Sequence, residues 1–253
     1  MTENRKDITI YESEQEHYEK LTSARKDYAR AIEYAATSAF EFFPDGDVSK
    51  AIICDFCCGP GIATKWVSKY FGTIGGAVLI DIDEKFIELA RNANIRADQA
   101  FYIHSDILKV DFDKWGLTGR ADIVFGTYSY HHIPDELKSE YVEQAYKVLK
   151  PGGVVILNEI YLKKEWQIPY YETLTDDSLE NVPEELRQKF RRMNNEVARS
   201  SNFEFKVEME YARADWERKF EELRTIKIWP FTSTHDFLLS PSVGSIVHIF
   251  QKQ

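Results

Sequence analysis

Ala51-Ile52-Ile53-Cys54-Asp55-Phe56-Cys57-Cys58-Gly59-Pro60-Gly61-Ile62 opens as a short apolar run that ends near Asp55. Gly59 and Gly61, one proline apart, then make a turn. From Ile62 the pattern becomes helical, with Ala63, Trp66, Val67 and Tyr70 recurring on one face. Strand, glycine turn and helix together form a cradle for a nucleotide or nucleoside. The glycines let a ligand approach the backbone, and the helix N-terminus presents unpaired N–H groups.

Outward from that turn, strands and helices alternate. Gly72 predicts the end of the first helix. Ala77 to Ile80 is a continuous apolar run of the kind that parallel strands buried on both faces require, and it ends at Asp81. Asp83 predicts the N-cap of a helix carrying Phe86, Ile87, Leu89 and Ala90. Phe101 to Ile103 is a third strand, ending at His104-Ser105-Asp106. Ala121 to Phe125 is a fourth, running into Gly126-Thr127-Tyr128-Ser129-Tyr130-His131-His132. Pro134 fits the first turn of a helix that buries Leu137, Tyr141, Ala145 and Val148. Lys150-Pro151-Gly152-Gly153 reads as a sharp turn, and Val154 to Leu157 as a fifth strand ending at Asn158-Glu159. This rhythm is that of an open parallel sheet with helices on both faces, in which ligands bind at the carboxyl ends of the strands. The polar residues just named stand at those ends.

Flanking segments elaborate the core. Residues 1–47 read as a helical cap, with a capping box at Ser13-Glu14-Gln15-Glu16 and an apolar stripe that includes Tyr18, Leu21, Tyr28, Ile32, Ala35 and Ala39. The stripe packs on the main domain or, at Tyr18, covers a bound ligand. Residues 48–160 form the ligand-binding core. Residues 161–212, rich in Tyr, Trp, Glu and Arg, break the alternation and read as a helical, aromatic insertion over the sheet. Residues 213–253 complete the core, with a helix carrying Trp216, Phe220 and Leu223 and two final strands, Thr225–Trp229 and Ser245–Gln251.

Apolar content of 43% and charged content of 29% are those of an ordinary globular protein. No apolar run approaches the roughly 20 residues that span a bilayer, and Met1 to Ile8 is too polar for a secretory signal, so a cytoplasmic location is expected. The net charge of −10 argues against a nucleic-acid partner, and the positive residues of Arg187–Arg199 read as a solvated helix face. The three cysteines crowd into one turn. A structural zinc site needs a second ligand pair, which the sequence lacks, so no metal is expected.

Asp81 lies twenty residues beyond Gly61, where an acidic side chain accepts hydrogen bonds from a ribose diol. A dinucleotide fingerprint would need a third glycine at Thr64. Asp55 to Gly61, Asp81, Ser105-Asp106-Ile107-Leu108 and Leu149 to Gly153 together resemble the class I S-adenosylmethionine-dependent methyltransferases. The resemblance covers about residues 49–160 and, more weakly, the last forty. It implies a Rossmann-like, doubly wound, mostly parallel seven-stranded α/β sheet with an antiparallel last strand, and S-adenosyl-L-methionine as cofactor. It also implies that Asp55 organises the turn and the methionine amino group and that Gly59 and Gly61 admit the cofactor. Asp81 would hold the ribose hydroxyls with Ile82 against the adenine, Asp106 would meet the adenine amino group with Ile107 beside the ring, and Thr127 would lie near the methionine moiety. Many family members have glycine where Cys57 stands.

The reaction so implied is an in-line displacement at the sulfonium methyl, in which the enzyme mainly positions the reacting atoms at about 3–3.5 Å. A base is needed only for an acceptor that must lose a proton. His131 is the first candidate, with Tyr128 as a second catalytic candidate, while Tyr18, Tyr130, Glu159 and Tyr161 are candidate substrate contacts. No amide-methylating Asn-Pro-Pro-Tyr signature follows the fourth strand, and the expected substrate is a small molecule, planar or apolar. The alternatives are a nicotinamide-dependent oxidoreductase on a related fold and a protein that binds S-adenosylmethionine without transferring methyl groups. The sequence leaves a homodimer open.

Overall fold

The computed structural model describes residues 26–43, 45–162, 166, 183–188, 191–192, 209–229 and 244–253. Tyr18, the capping box at Ser13 and most of the 161–212 insertion lie outside them.

In chain order the elements are α1 (Lys26–Ser38), β1 (Ile52–Phe56), α2 (Ile62–Phe71), β2 (Ile74–Asp81), α3 (Glu84–Arg91), β3 (Ala97–His104), β4 (Ala121–Thr127), α4 (Lys138–Val148), β5 (Leu149–Tyr161), α5 (Met209–Glu217), β6 (Phe220–Trp229) and β7 (Gly244–Lys252). The strands form one sheet in the order β3-β2-β1-β4-β5-β7-β6. β1 pairs in parallel with both β2 and β4, and β7 runs antiparallel to both β5 and β6. The chain therefore steps outward from β1 through β2 to β3 and returns to β1's other side as β4. That reversal of strand order opens a crevice at the carboxyl ends of β1 and β4.

Both sheet faces are covered, which is why the central strands are apolar throughout. On one face Ile53, Ile123, Phe125, Val154, Ile156, Val247 and Ile249 pack with Tyr28, Ala31, Ile32, Ala35 and Ala36 of α1. The small alanines let α1 lie close to the sheet, so its apolar stripe is a packing face. On the other face Phe56, Val124, Val155, Leu157 and Phe250 pack with Tyr141 and Val148 of α4 and Trp216 of α5. Glu41, just after α1, forms a two-pronged ion pair with Arg224 of β6 at 2.6 and 2.8 Å. Among the described residues, no helix is long and apolar enough to cross a membrane.

Local signals set several boundaries. Asp83 caps α3 by accepting from the Lys85 and Phe86 amides, and Gly72 ends α2 at φ +95°. Two sequence expectations fail. Trp216 and Phe220 share helical spacing, but α5 stops at Glu217 and Phe220 begins β6, paired with Lys252. An apolar pair four apart is ambiguous, and the alternation of Ile226 and Ile228 downstream belongs to a strand. Lys150 to Gly153 is a bulged start to β5 rather than a turn before it. From Ala121 to Ile123 β4 advances two residues, while β5 advances five, from Leu149 to Val154. Gly152 at φ +76° accommodates the surplus, and Lys150 pairs with Asp122, whose other oxygen accepts the Ile52 amide at 2.8 Å.

Candidate functional site

The turn after β1 occupies the crevice. Three of its residues, Cys57, Gly59 and Gly61, have φ between +51° and +73°. The left-handed region costs a residue with a Cβ about 1–2 kcal/mol, so Cys57 is a strained occupant of a position suited to glycine. The Cys58 amide donates to the Ile80 carbonyl at 2.9 Å, stitching the turn to β2. The two glycines serve different ends. A Cβ on Gly61 would meet Leu79 Cδ2 at 2.8 Å and Ile95 Cδ1 at 3.1 Å, so Gly61 allows α2 to pack against β2 and α3. A Cβ on Gly59 would meet nothing within 4 Å, because that side of the turn faces open space.

Carboxylates surround this turn. Asp55 is buried, and its Oδ2 accepts the Thr64 hydroxyl at 2.7 Å. Among the described residues, its Oδ1 has no hydrogen-bond partner. Burial pushes the Asp55 carboxyl up to about 7, against the lowering effect of Thr64. Asp81, at the end of β2, accepts the Gly59 amide on Oδ2 at 2.8 Å and the Asp83 amide on Oδ1 at 2.9 Å. Both amides fix the carboxylate, and each oxygen keeps a second lone pair. Burial raises Asp81 above the usual range, and the amide bonds oppose that rise. Asp106 accepts the Leu108 amide at 3.1 Å and pairs with Lys109 at 3.5 Å. The Cys57 thiol is pushed well up by burial and then by the charges of Asp81, Asp106, Glu159 and Asp55. Four carboxylates thus act on one point of the turn. Ile82 is 39% exposed beside them, whereas Ile107 is buried in the core and lies beneath the site rather than lining it.

Beyond β4 the chain turns back across the end of β5. Tyr128 has φ +51°, its ring stacks on Tyr28 of α1 at 4.6 Å, and its hydroxyl lies 2.6 Å from Ser245 Oγ. These contacts make Tyr128 a fixed wall between α1 and β7. Glu159 is only 1% exposed. Its Oε1 accepts the Ser129 and Tyr130 amides, both at 2.6 Å, and its Oε2 lies 2.6 Å from His131 Nδ1. Burial lifts Glu159 to about 7, opposed by the two amides. Glu159 is thus an interior anchor of this loop and not an open substrate contact. Tyr130 and Tyr161 are likewise core residues. Tyr130 packs on Tyr141 and Trp216, and Tyr161 on His248.

The geometry brings Asp55, Gly59, Asp81 and Asp106 to the carboxyl ends of β1 to β3, with Thr127 at the adjoining end of β4 and His131 buried on Glu159. Three contributors escape sequence reasoning. Thr64 fills the position where a dinucleotide fold has its third glycine and supplies the Asp55 partner. Gly126 is required because a Cβ there would stand 2.7 Å from Tyr141 Oη. Asn158 is fully buried beside Thr127 with Nδ2 unpartnered, and its Oδ1 accepts Ser245 Oγ at 3.3 Å. Among the described residues, no group of three His, Cys, Asp or Glu could hold a metal.

Residues 53–153 match the sequence model of a methyltransferase domain. This segment is a methyltransferase domain. The curated demethylmenaquinone methyltransferase of Lactococcus lactis is 29% identical over 117 residues, 45% of this chain and 44% of that protein. The chain thus matches under half the length of this relative. The methyltransferase domain has the fold of the 1,6-didemethyltoxoflavin-N1-methyltransferase of Burkholderia thailandensis, solved with its substrate and S-adenosylhomocysteine. That structure is 12% identical with a TM-score of 0.57, over 100% of this chain and 92% of the other. The magnesium protoporphyrin IX methyltransferase of Synechocystis aligns at 14% identity and a TM-score of 0.56, over 89% and 84%.

The residues of the methyltransferase domain fit S-adenosylmethionine. The unpartnered Asp55 Oδ1 is a buried acceptor that lacks a donor, and an ammonium group would supply one. The open side of Gly59 leaves room against the backbone. Asp81 has spare lone pairs for a diol, and Ile82 offers an exposed apolar surface for a ring. Carboxylates at the turn suit a ligand carrying a sulfonium and an ammonium.

Proposed function

We propose that this protein is an S-adenosylmethionine-dependent methyltransferase that methylates a small, planar acceptor. The observation that carries the reading is the unpartnered Asp55 Oδ1 within the group of carboxylates at the glycine turn. When bound, S-adenosylmethionine supplies an electrophilic methyl group to a nucleophilic atom of the acceptor. Asp55 and Asp81 would hold the methionine and ribose ends, Asp106 and Ile82 the adenine, and the Gly59 backbone the space between them. Thr127 and Tyr128 would border the acceptor. The enzyme's work is chiefly positioning.

The small, planar acceptor is supported by the relatives' names, which give demethylmenaquinone, 1,6-didemethyltoxoflavin and magnesium protoporphyrin IX as their substrates.

Calorimetry with S-adenosylmethionine, S-adenosylhomocysteine and NAD is the first test, and we expect binding of the first two only. Product detection by mass spectrometry over a panel of hydroxylated and nitrogen-containing aromatics, reduced demethylmenaquinone included, then tests transfer. Absence of binding by both sulfur nucleosides would remove the proposal. Tight binding without any product would favour a protein that uses the nucleoside without methylating.

A further inference from the structure

Among the described residues, β3 ends the sheet on one side and β6 on the other. The two edges are built differently. β6 departs from regular register twice, between Glu222 and Arg224 and between Lys227 and Trp229, and it carries Glu221, Arg224 and Lys227. Bulges and charges of this kind keep an edge from pairing with another chain. β3 has no such protection. Its register with β2 is even from Gly76–Gln99 to Asp81–His104, and no Lys, Arg or Pro stands between Ala97 and His104. Asp98, Gln99, Ala100 and Phe101 are all exposed. Phe101 is 40% exposed and meets Trp115, 47% exposed, edge to face at 6.4 Å. An apolar patch thus adjoins an unpaired strand.

The inner side of β3 fixes what its outer side offers. The Ser105 amide donates to the Asp81 carbonyl at 2.9 Å. Successive residues of a strand turn their backbone groups to opposite sides. Phe101 and Ile103 therefore face β2, while Ala100, Tyr102 and His104 turn their N–H and C=O groups outward. The Arg91 guanidinium reaches the Tyr102 carbonyl only at 3.5 Å, the limit of a hydrogen bond.

We propose that β3 is the pairing surface for a second copy of this chain, joined antiparallel about a two-fold axis at Phe101. In that register Ala100 and Tyr102 of each copy exchange backbone hydrogen bonds with Tyr102 and Ala100 of the other. The two Phe101 rings fall opposite one another as a non-hydrogen-bonded pair, where cross-strand side chains come closest, and Trp115 of each copy adjoins them. Asp98 faces His104 of the second copy. Moving the axis one residue keeps the outward groups paired but sets basic Arg96 opposite basic His104, or Asp98 opposite Asp106. Like charges directly opposite are destabilising, so charge selects the same register as the aromatic pair. The contact is self-complementary, as a two-fold interface must be. Two seven-stranded sheets become one, with their crevices at opposite ends. This inference is independent of the methyltransferase reading.

Sedimentation equilibrium of the full chain tests it. At about 100 μM, well above the Kd of a micromolar contact, the species should have twice the 29.5 kDa mass of the chain. A chain that stays monomeric there overturns the proposal. Ala100→Pro removes an outward donor and spares the β2 ladder, a place where edge strands tolerate proline. Phe101→Lys sets two like charges at the axis. Each should weaken association about 10-fold or more, with thermal melts confirming that the variant is folded. Undiminished association in a folded Phe101→Lys would overturn the proposal, whether or not Ala100→Pro folds.

Cross-linking reads the register directly. Opposed Phe101→Cys residues would have Cα atoms about 4.5 Å apart, within reach of a disulfide. Asp98→Cys residues, three positions to either side of the axis, would lie about 20 Å apart. Mild oxidation should link the first variant into a dimer and leave the second unlinked, with the wild type as blank for the three cysteines of the turn. Equal linking of the two variants, or none in Phe101→Cys, would overturn the proposal.

Discussion

Asp55→Asn separates what the cofactor site needs from what the fold prefers. The buried carboxyl stands at about 7 against 3.8 for a free aspartate. Between those values the folded protein holds a proton that the unfolded chain has released. Stability therefore falls as pH rises through the window and stays low above about 7. The rise is roughly three pKa steps, so at about 1.4 kcal/mol per step ionised Asp55 costs the unliganded protein about 4 kcal/mol. Asparagine can keep an acceptor toward Thr64 Oγ1 and carries no charge.

Two of those three steps lie between pH 5 and 7. The stability of Asp55→Asn relative to wild type should accordingly improve by about 3 kcal/mol between pH 5 and pH 8. For a chain of this size that is a relative gain of roughly 6–12 °C in melting temperature. The comparison is internal to each pH, so any fixed cost of the buried amide cancels. Thermal melts of both proteins at pH 5, 6, 7 and 8 without ligand provide the measurement. Calorimetry at pH 8 supplies the other half. Losing a charge-assisted hydrogen bond costs about 1.5–3 kcal/mol, so S-adenosylhomocysteine should bind roughly 10- to 150-fold more weakly. A stability difference that does not vary with pH would refute the account of Asp55 as a destabilised carboxylate. Undiminished affinity would remove it from the methionine end of the site.

Substitutions at the two glycines of the turn should part company. Gly59→Ala places a methyl in open space and should abolish measurable nucleoside binding while lowering stability by only about 1–2 kcal/mol, the cost of the left-handed backbone. Gly61→Ala meets Leu79 at 2.8 Å and should lower the melting temperature far more in denaturation scans. Gly126→Ala should destabilise by about 1–3 kcal/mol through overpacking against Tyr141 Oη, and adding Tyr141→Phe should recover part of that loss. A double-mutant cycle by urea denaturation checks it, and strict additivity would contradict the contact.

The turn was legible from sequence because its signals are local. An apolar run, two glycines and a helical stripe need no knowledge of distant residues, and Asp81 and Asp106 follow from the habit of parallel strands to end at a common edge. Cys57 shows the limit of such reading. The sequence marks it as a departure from glycine, but only the coordinates reveal that it keeps the left-handed backbone while four carboxylates act on its thiol. Ile107, Tyr130 and Tyr161 fared worse as site residues, because standing after a strand end says nothing of which way a side chain is buried. Glu159 was picked out as a strand-end carboxylate, but its partners Ser129, Tyr130 and His131 could not be named.

The sequence by itself determined the alternating α/β architecture, the glycine turn and the class of ligand it cradles. These depend on periodicity, on backbone freedom at glycine and on residue chemistry within a few positions. The tertiary structure decided which polar groups have partners: Thr64 on one oxygen of Asp55 and nothing on the other, two amides on Asp81, and an imidazole on Glu159. Burial and pairing arise between elements distant in the chain, through desolvation and hydrogen bonds that no local pattern encodes. It is there that the electrostatics of the site are set.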